Sequence, residues 1–260
     1  MGVSHMRKIF IIGIGAGDPR QMTVEAIERL NEAEVFFFLD KGDNKRDLVE
    51  ARQAILDRFV ERSDYRVVTS ADVGRDRDPA DYVATVADWH NRRSDLYERM
   101  FLDELPEHGI GAILAWGDPT LYDNVIAVLE EVRSRGRVAF DYEVVPGISS
   151  VSTLVARHRT SLNQVGKSVL VTTGRRLAAE GFPSDVDDVV VMLDAHCSFT
   201  TLDDGDLHIY WGAYLGTPDE IVIAGPLGEV GARIVAVRAE ARERKGWIMD
   251  TYLLRRRSGS

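Results

Sequence analysis

Ala112-Ile113-Leu114-Ala115-Trp116-Gly117-Asp118-Pro119-Thr120-Leu121-Tyr122 is the stretch on which the reading of this chain turns. Its first half is an apolar run fit for a buried strand. Its second half is a turn, Gly117-Asp118-Pro119, and helix-like sequence follows from Asn124 to Arg135. Strand, turn and helix form the repeating unit of an open α/β sheet, where ligands bind at the carboxyl ends of strands. Gly117 lets a ligand approach the backbone closely, Pro119 stiffens the turn, and Asp118 offers a carboxylate there. The same residues are also ordinary strand-to-helix turn chemistry, so the neighbouring stretches decide.

Towards the N-terminus, Lys8 to Ile14 reads as a buried first strand and runs into Gly13-Ile14-Gly15-Ala16-Gly17-Asp18-Pro19. Helix-like sequence follows from Thr23 to Asn31, with Thr23 as N-cap, and Val35 to Leu39 is a second strand ending in Asp40. The glycine loop invites a dinucleotide reading, with Asp40 on the ribose and a nicotinamide-dependent oxidoreductase as the function. The spacing argues against it: where that fingerprint needs its third glycine the chain has Asp18. A carboxylate followed by proline suits a ligand without phosphates, or one with a positive charge.

The pattern continues with a helix over Asp47 to Glu61, a strand over Tyr65 to Ser70, and a charged loop over Ala71 to Pro79. A long amphipathic helix spans Tyr82 to Leu102, with Trp89, Leu96 and Met100 as its buried stripe. After the helix ending near Arg135 comes a strand from Ala139 to Val145, then Pro146-Gly147-Ile148-Ser149-Ser150 and a helix to about His158. Ser149 or Ser150 serves as N-cap, or turns its hydroxyl and nearby N–H groups to a ligand. The join between two domains is placed at Pro146 to Ser150, giving 7–145 and 146–257. In the second half, strands are expected at Ser168 to Thr172, Val189 to Leu193, Asp206 to Trp211, Glu220 to Ala224, Ile234 to Val237 and Tyr252 to Arg256. Thr173 to Arg176 reads as a basic turn, and the tight turn Gly225-Pro226 suggests an antiparallel portion. The fold expected is therefore two α/β domains in series, with a largely parallel sheet first and a mixed sheet second. The active-site cleft is expected between them.

The chain has 260 residues, 45% of them hydrophobic, and a formal net charge of -10. That charge argues against general nucleic-acid binding, though not against an anionic substrate met by local basic residues. One cysteine, Cys197, excludes an intrachain disulfide framework and points to a cytoplasmic setting. No apolar run reaches membrane-spanning length. Met1 to Met6 lacks a signal-peptide core, and the tail Arg255 to Ser260 is the only low-complexity piece.

Three signatures stand in one order: Gly13 to Pro19, Gly117 to Tyr122, and Pro146 to Ser150. Together they resemble the tetrapyrrole (precorrin) methylases, over essentially the whole chain from Lys8 to Arg256. Ala16 departs from the family, where proline is usual. Trp116 to Asp123, Thr172 to Leu177, Val191 to Asp194, Tyr210 to Gly216 and Gly246 to Leu254 are similar to the deacetylating precorrin-6A synthase branch of that family. The resemblance implies S-adenosylmethionine-dependent methylation of precorrin-5 at ring carbon C1 with release of acetate, in aerobic cobalamin synthesis. It also implies a homodimer. The alternatives are another precorrin methyltransferase of the family, a nicotinamide-dependent oxidoreductase using the Gly13 to Gly17 loop, or a sensor that binds the donor without turnover.

By family position, Ala16, Trp116, Gly117, Asp118, Leu121, Ser149, Ser150 and Met192 would surround the donor, and Ala213, Tyr214 and Leu215 would hold its adenine. From sequence alone, Met192 reads better as a core methionine. Asp118 could meet the ammonium or sulfonium charge. A substrate with many carboxylates wants arginine forks, and Arg157, Arg159, Arg175 and Arg176 are the candidates, with Arg175 and Arg176 preferred. Loss of acetate calls for a general base, with Asp194, His196 and Tyr214 as candidates. His158 and His196 lack companion ligands at zinc-like spacing, so no metal is expected.

Overall fold

The computed structural model describes residues 6–40, 46–74, 82–203 and 205–257. The chain divides into two compact units, Met1–Gly15 with Pro19–Ile148, and Ala16–Asp18 with Ser149–Ser260.

The first unit runs β1 (Arg7–Gly13), α1 (Val24–Glu32), β2 (Val35–Asp40), α2 (Arg46–Phe59), β3 (Arg66–Ala71), α3 (Tyr82–Glu104), β4 (Ile110–Ala115), α4 (Val125–Arg135) and β5 (Phe140–Val145). Its five strands pair in parallel in the order β3-β2-β4-β1-β5. Central parallel strands are covered on both faces, so they read as continuous apolar runs. Alternate residues serve opposite faces. Ile9, Ile11, Phe37 and Ile113 meet Phe101 of α3 and Leu129 of α4, whereas Phe10, Ile12, Phe36 and Leu114 meet Leu30 of α1 and Leu56 of α2. Thr23 caps α1 by accepting the Ala26 N–H at 3.0 Å. The α3 stripe holds Leu96 and Met100 buried, while Trp89 is half-buried and donates to the Val73 carbonyl.

In the second unit come α5 (Ser150–Arg157), β6 (Val169–Thr173), α6 (Gly174–Glu180), β7 (Asp188–Met192), β8 (Leu207–Ala213), β9 (Ile221–Pro226), α7 (Leu227–Lys245) and β10 (Asp250–Arg256). The sheet order is β6-β7-β10-β8-β9, with β6 and β7 parallel and the other pairs antiparallel. A parallel sheet and a mixed sheet are thus what the sequence pattern anticipated. Arg238 of α7 reaches into this sheet: Nε lies 2.8 Å from Asp250 Oδ2, and Nη2 donates to the Asp194 carbonyl at 2.7 Å. Trp211 Nε1 donates to the same Asp250 oxygen at 3.0 Å.

Three local expectations are corrected. Ile234 to Val237 is not a strand but part of α7; Leu227, Gly231, Ile234, Arg238 and Ala241 fall at helical spacing on its buried face. Four apolar residues in a row do not distinguish the two periods. Thr173 to Arg176 is not a free turn: Gly174 opens α6, and Thr173 caps it. Gly225-Pro226 is not a turn either, but the end of β9, and α7 starts at the next residue. The charged loop expected over 71–79 lies outside the described residues beyond Gly74, as do Met1 to His5 of the N-terminal stretch and 258–260 of the tail. Arg255 and Arg256 of that tail belong to β10.

At the carboxyl ends of β1, β4 and β5, Gly13, Gly117 and Gly147 touch backbone to backbone. A Cβ on Gly147 would stand 2.0 Å from the Gly117 oxygen and 2.8 Å from Gly13 Cα. Gly147→Ala should therefore lower the unfolding free energy by about 3 kcal/mol or more, whereas Gly74→Ala, with no atom within 4 Å of the new methyl, should leave the denaturant midpoint unchanged. Arg238→Met leaves the Asp250 carboxylate buried without its cation, and chemical denaturation should show a loss of about 3–5 kcal/mol.

Candidate functional site

Each glycine turn at a strand end of the first unit is held by backbone alone. Gly15 and Gly117 form a two-way bridge, Gly15 N–H to Gly117 O at 3.3 Å and Gly117 N–H to Gly15 O at 2.8 Å. Gly117 has φ 72° and Gly15 φ 78°, in the left-handed region that glycine adopts without a Cβ penalty. The following Asp118 turns back on its own loop: Oδ1 accepts the Thr120 N–H at 2.9 Å and the Thr120 hydroxyl at 2.8 Å. Its second oxygen has no partner among the described residues, and the residue is partly exposed. Trp116 packs partly buried on the core beside Leu114, and the Leu121 N–H closes the turn on the Asp118 carbonyl. The structure thus gathers Trp116, Gly117, Asp118 and Leu121 into one loop with a carboxylate oxygen left open.

In the second unit, Ala16, Gly17 and Asp18 lie on the loop that follows β8. A Cβ on Gly17 would meet Thr217 Cγ2 at 2.6 Å, and one on Gly216 would meet the Asp18 nitrogen at 2.9 Å. This brings Ala16 together with Ala213, Tyr214 and Leu215, all buried. The middle of α5 packs on the same loop, since a Cβ on Gly212 would strike Leu154 and Leu215. Ser149 is the α5 cap, its hydroxyl accepting the Ser152 N–H at 3.1 Å, and Ser150 is the first helical residue. Met192 ends β7, opposite Thr251 of β10 and Thr173 of β6, and is only partly buried.

Tyr214 is a framework residue in this loop. Its backbone is left-handed at φ 49°, and its hydroxyl donates to the Trp247 and Ala241 carbonyls at 2.6 and 3.2 Å. Burial pushes its phenol above the usual range, against the pull of Lys245 and Arg244. Asp194 is equally committed. Oδ1 accepts from the His196 N–H and the Ser198 hydroxyl, and Oδ2 from the Ser198 N–H and the Tyr252 hydroxyl, all between 2.6 and 3.0 Å. Gly174 packs directly on that carboxyl group, where a Cβ would stand 2.4 Å from Asp194 Cγ. His196 is exposed and lines a surface cavity of about 460 Å³ with Cys197, Arg238 and Arg242, which includes none of the expected donor residues.

The four expected substrate arginines separate by their partners. Arg157 is held by Glu220, Nε to the two carboxylate oxygens at 2.7 and 3.0 Å. Arg176 pairs with Glu180 one turn along α6. Arg175 and Arg159 are exposed, and Arg159 has a left-handed backbone at φ 54°. Glu220 was not legible beforehand. It also accepts the Gly216 N–H at 2.7 Å, so it ties α5 to the loop that packs on Ala16–Asp18; a contact across 63 positions leaves no local signal. Leu193 was read only as the end of a strand. It has φ 54° and is 66% exposed, because the Asp194 carboxylate holds the turn after it and faces Leu193 outward. Backbone held in that region by its surroundings is a feature of ligand-contacting segments.

Residues 8–231 match the family of Tetrapyrrole (Corrin/Porphyrin) Methylases. The chain is 51% identical over 256 residues to precorrin-6A synthase [deacetylating] of Sinorhizobium sp, covering 98% of each. It superposes with a TM-score of 0.83 on the crystal structure of a cobalamin-synthesis-related protein, CobF, of Corynebacterium diphtheriae, at 34% identity and over 97% of this chain and 100% of that one. A uroporphyrin-III C-methyltransferase of Thermus thermophilus, solved with S-adenosylhomocysteine, shares the fold at a TM-score of 0.56 and 18% identity, over 95% of this chain and 91% of that one. With glycine turns at the strand ends, a mixed second sheet and these likenesses along its length, the chain belongs to the tetrapyrrole methylase family.

Proposed function

We propose that this protein is a deacetylating precorrin-6A synthase, an S-adenosylmethionine-dependent C-methyltransferase of cobalamin synthesis that converts precorrin-5 to precorrin-6A with loss of acetate. One observation carries the reading: 51% identity over 98% of both chains to an enzyme of that name. The loops fit such a donor. They are built of backbone and small residues, carry no basic side chain at Gly117 to Tyr122, and leave one Asp118 oxygen open.

When bound, S-adenosylmethionine supplies a methyl group already activated on a sulfonium. The chain's own residues therefore need to align and exclude water more than to ionise. In the first unit, Trp116, Gly117, Asp118 and Leu121 are the donor-binding residues, with Thr120 fixing one Asp118 oxygen so that the other faces a cation. In the second unit, Ala16, Ser149, Ser150, Met192, Ala213, Tyr214 and Leu215 are the donor-binding residues, and the Arg157–Glu220 pair keeps their loop in place. Arg157, Arg159, Arg175 and Arg176 are the candidate substrate-binding arginines of this unit, Arg175 and Arg176 first among them. Asp194 and Tyr214 act by holding backbone, which leaves His196 as the candidate base for hydration and acetate release. The single, buried Cys197 is in keeping with a cytoplasmic enzyme.

Incubated with precorrin-5 and methyl-labelled donor, the protein should transfer label to the tetrapyrrole and release acetate in equal amount. Donor binding by calorimetry without transfer to precorrin-5 would make it a sensor instead. Asp118→Asn keeps the acceptor for Thr120 and removes the charge, so donor affinity should weaken by about 1–3 kcal/mol; unchanged affinity in a folded variant places the cation elsewhere. We also propose a homodimer, for which light scattering should give twice the chain mass of 29.0 kDa.

A further inference from the structure

At the carboxyl end of β4 in the first unit lies a guanidinium with N–H donors that the described residues leave unfilled. Arg52 of α2 donates through Nε to the Leu114 carbonyl of β4 at 3.1 Å, and through Nη1 to the Leu48 carbonyl at 2.9 Å. A guanidinium has five N–H donors; the other three have no acceptor among the described residues. Tyr97, Asp123 and Asp72 act favourably on Arg52 electrostatically, but none of them takes one of its hydrogen bonds. Asp123 Oδ1 accepts the Val125 N–H at the start of α4, at 2.7 Å. Asp72 is the ion-pair partner of Arg93, with Oδ1 3.1 Å from Nε.

The same cluster holds a second excess donor. Arg93 Nη1 donates to Asn124 Oδ1 at 2.7 Å, and this fixes the amide so that its buried Nδ2 has no acceptor among the described residues. Burial, the largest influence on Arg52, pushes its guanidinium below the usual range, and Arg93 adds to that. Other arginines of this unit, Arg29, Arg93 and Arg135, are paired with acids. Arg52 is instead pinned by two backbone carbonyls, partly exposed, with its fork open two residues before Trp116.

We propose that Arg52 is a substrate-binding residue, its open fork taking one carboxylate of the tetrapyrrole at the carboxyl end of β4. The assignment rests on the tetrapyrrole reading above. An arginine fork and a carboxylate match in plane and spacing, so the missing acceptors are supplied by the substrate. Lysine would keep the charge and lose the paired geometry.

The test uses the full chain with precorrin-5 and labelled donor, in wild type, Arg52→Met and Arg52→Lys. Three readouts are taken: KM for precorrin-5, S-adenosylhomocysteine affinity by calorimetry, and the thermal midpoint. Arg52→Met should raise KM by about tenfold to a hundredfold, the effect of losing a charge-assisted pair. Donor affinity and the thermal midpoint should stay at the wild-type values. Arg52→Lys should fall between the two. An Arg52→Met enzyme with wild-type KM overturns the proposal. So does a variant whose thermal midpoint and donor affinity fall together, since that is a structural role. If the wild type itself leaves precorrin-5 unchanged, the functional reading fails, and this assignment with it; an active wild type with an indifferent Arg52 fails the assignment alone.

Discussion

The first unit depends on backbone meeting backbone at the carboxyl ends of β1, β4 and β5. Gly13, Gly117 and Gly147 come so close that the Gly117 oxygen lies where a Cβ of Gly147 would be. Without side chains, three parallel strands end on one plane, and their loops start from a shared, rigid edge. Gly117 then bridges Gly15, so the two signature turns are registered to each other before any ligand arrives. A donor that reacts by in-line displacement demands placement above acidity, and rigid strand ends supply it.

The charged residues divide into those consumed by the fold and those left over. The chain is acidic overall, yet its carboxylates at the strand ends of the second unit are used up: Asp194 by four donors, Asp250 by Arg238 and Trp211, Asp188 by Arg255. Carboxylates so occupied hold neighbouring backbone and side chains in place. Among the described arginines, Arg52 is held by two backbone carbonyls rather than by a hydrogen-bonded carboxylate.

Much of the architecture was legible from period and punctuation. Runs such as Lys8 to Ile14 and Val35 to Leu39 name central parallel strands, and Thr23 and Ser149 mark helix starts through caps that the structure contains. The failures share one cause. Ile234 to Val237 is too short for its period to be read, and only the burial of Leu227, Ile234 and Ala241 on one face decides for helix. The turn residues Gly117 and Asp118 were visible because loop chemistry is local. The hydrogen bonds of Glu220, Asp194 and Arg52 to Arg157, Tyr252 and Leu114 were not visible, since they span 63, 58 and 62 positions. Sequence spacing lists the titratable groups; the partner that occupies each one is a property of the packed chain.

One feature of the chain path bears on how the second unit comes to exist. Its compact contacts include Ala16–Asp18, taken from between two segments of the first unit. Those three residues back the Leu215 to Thr217 loop, where Gly17 and Gly216 lie too close for side chains. No single cut divides the protein into its two units, and a piece beginning at Ser149 would carry the loop without its backing. During synthesis the ribosome releases that backing first, more than a hundred residues ahead of the loop it supports. The chain thus makes this backing between β1 and α1, well before the loop it supports.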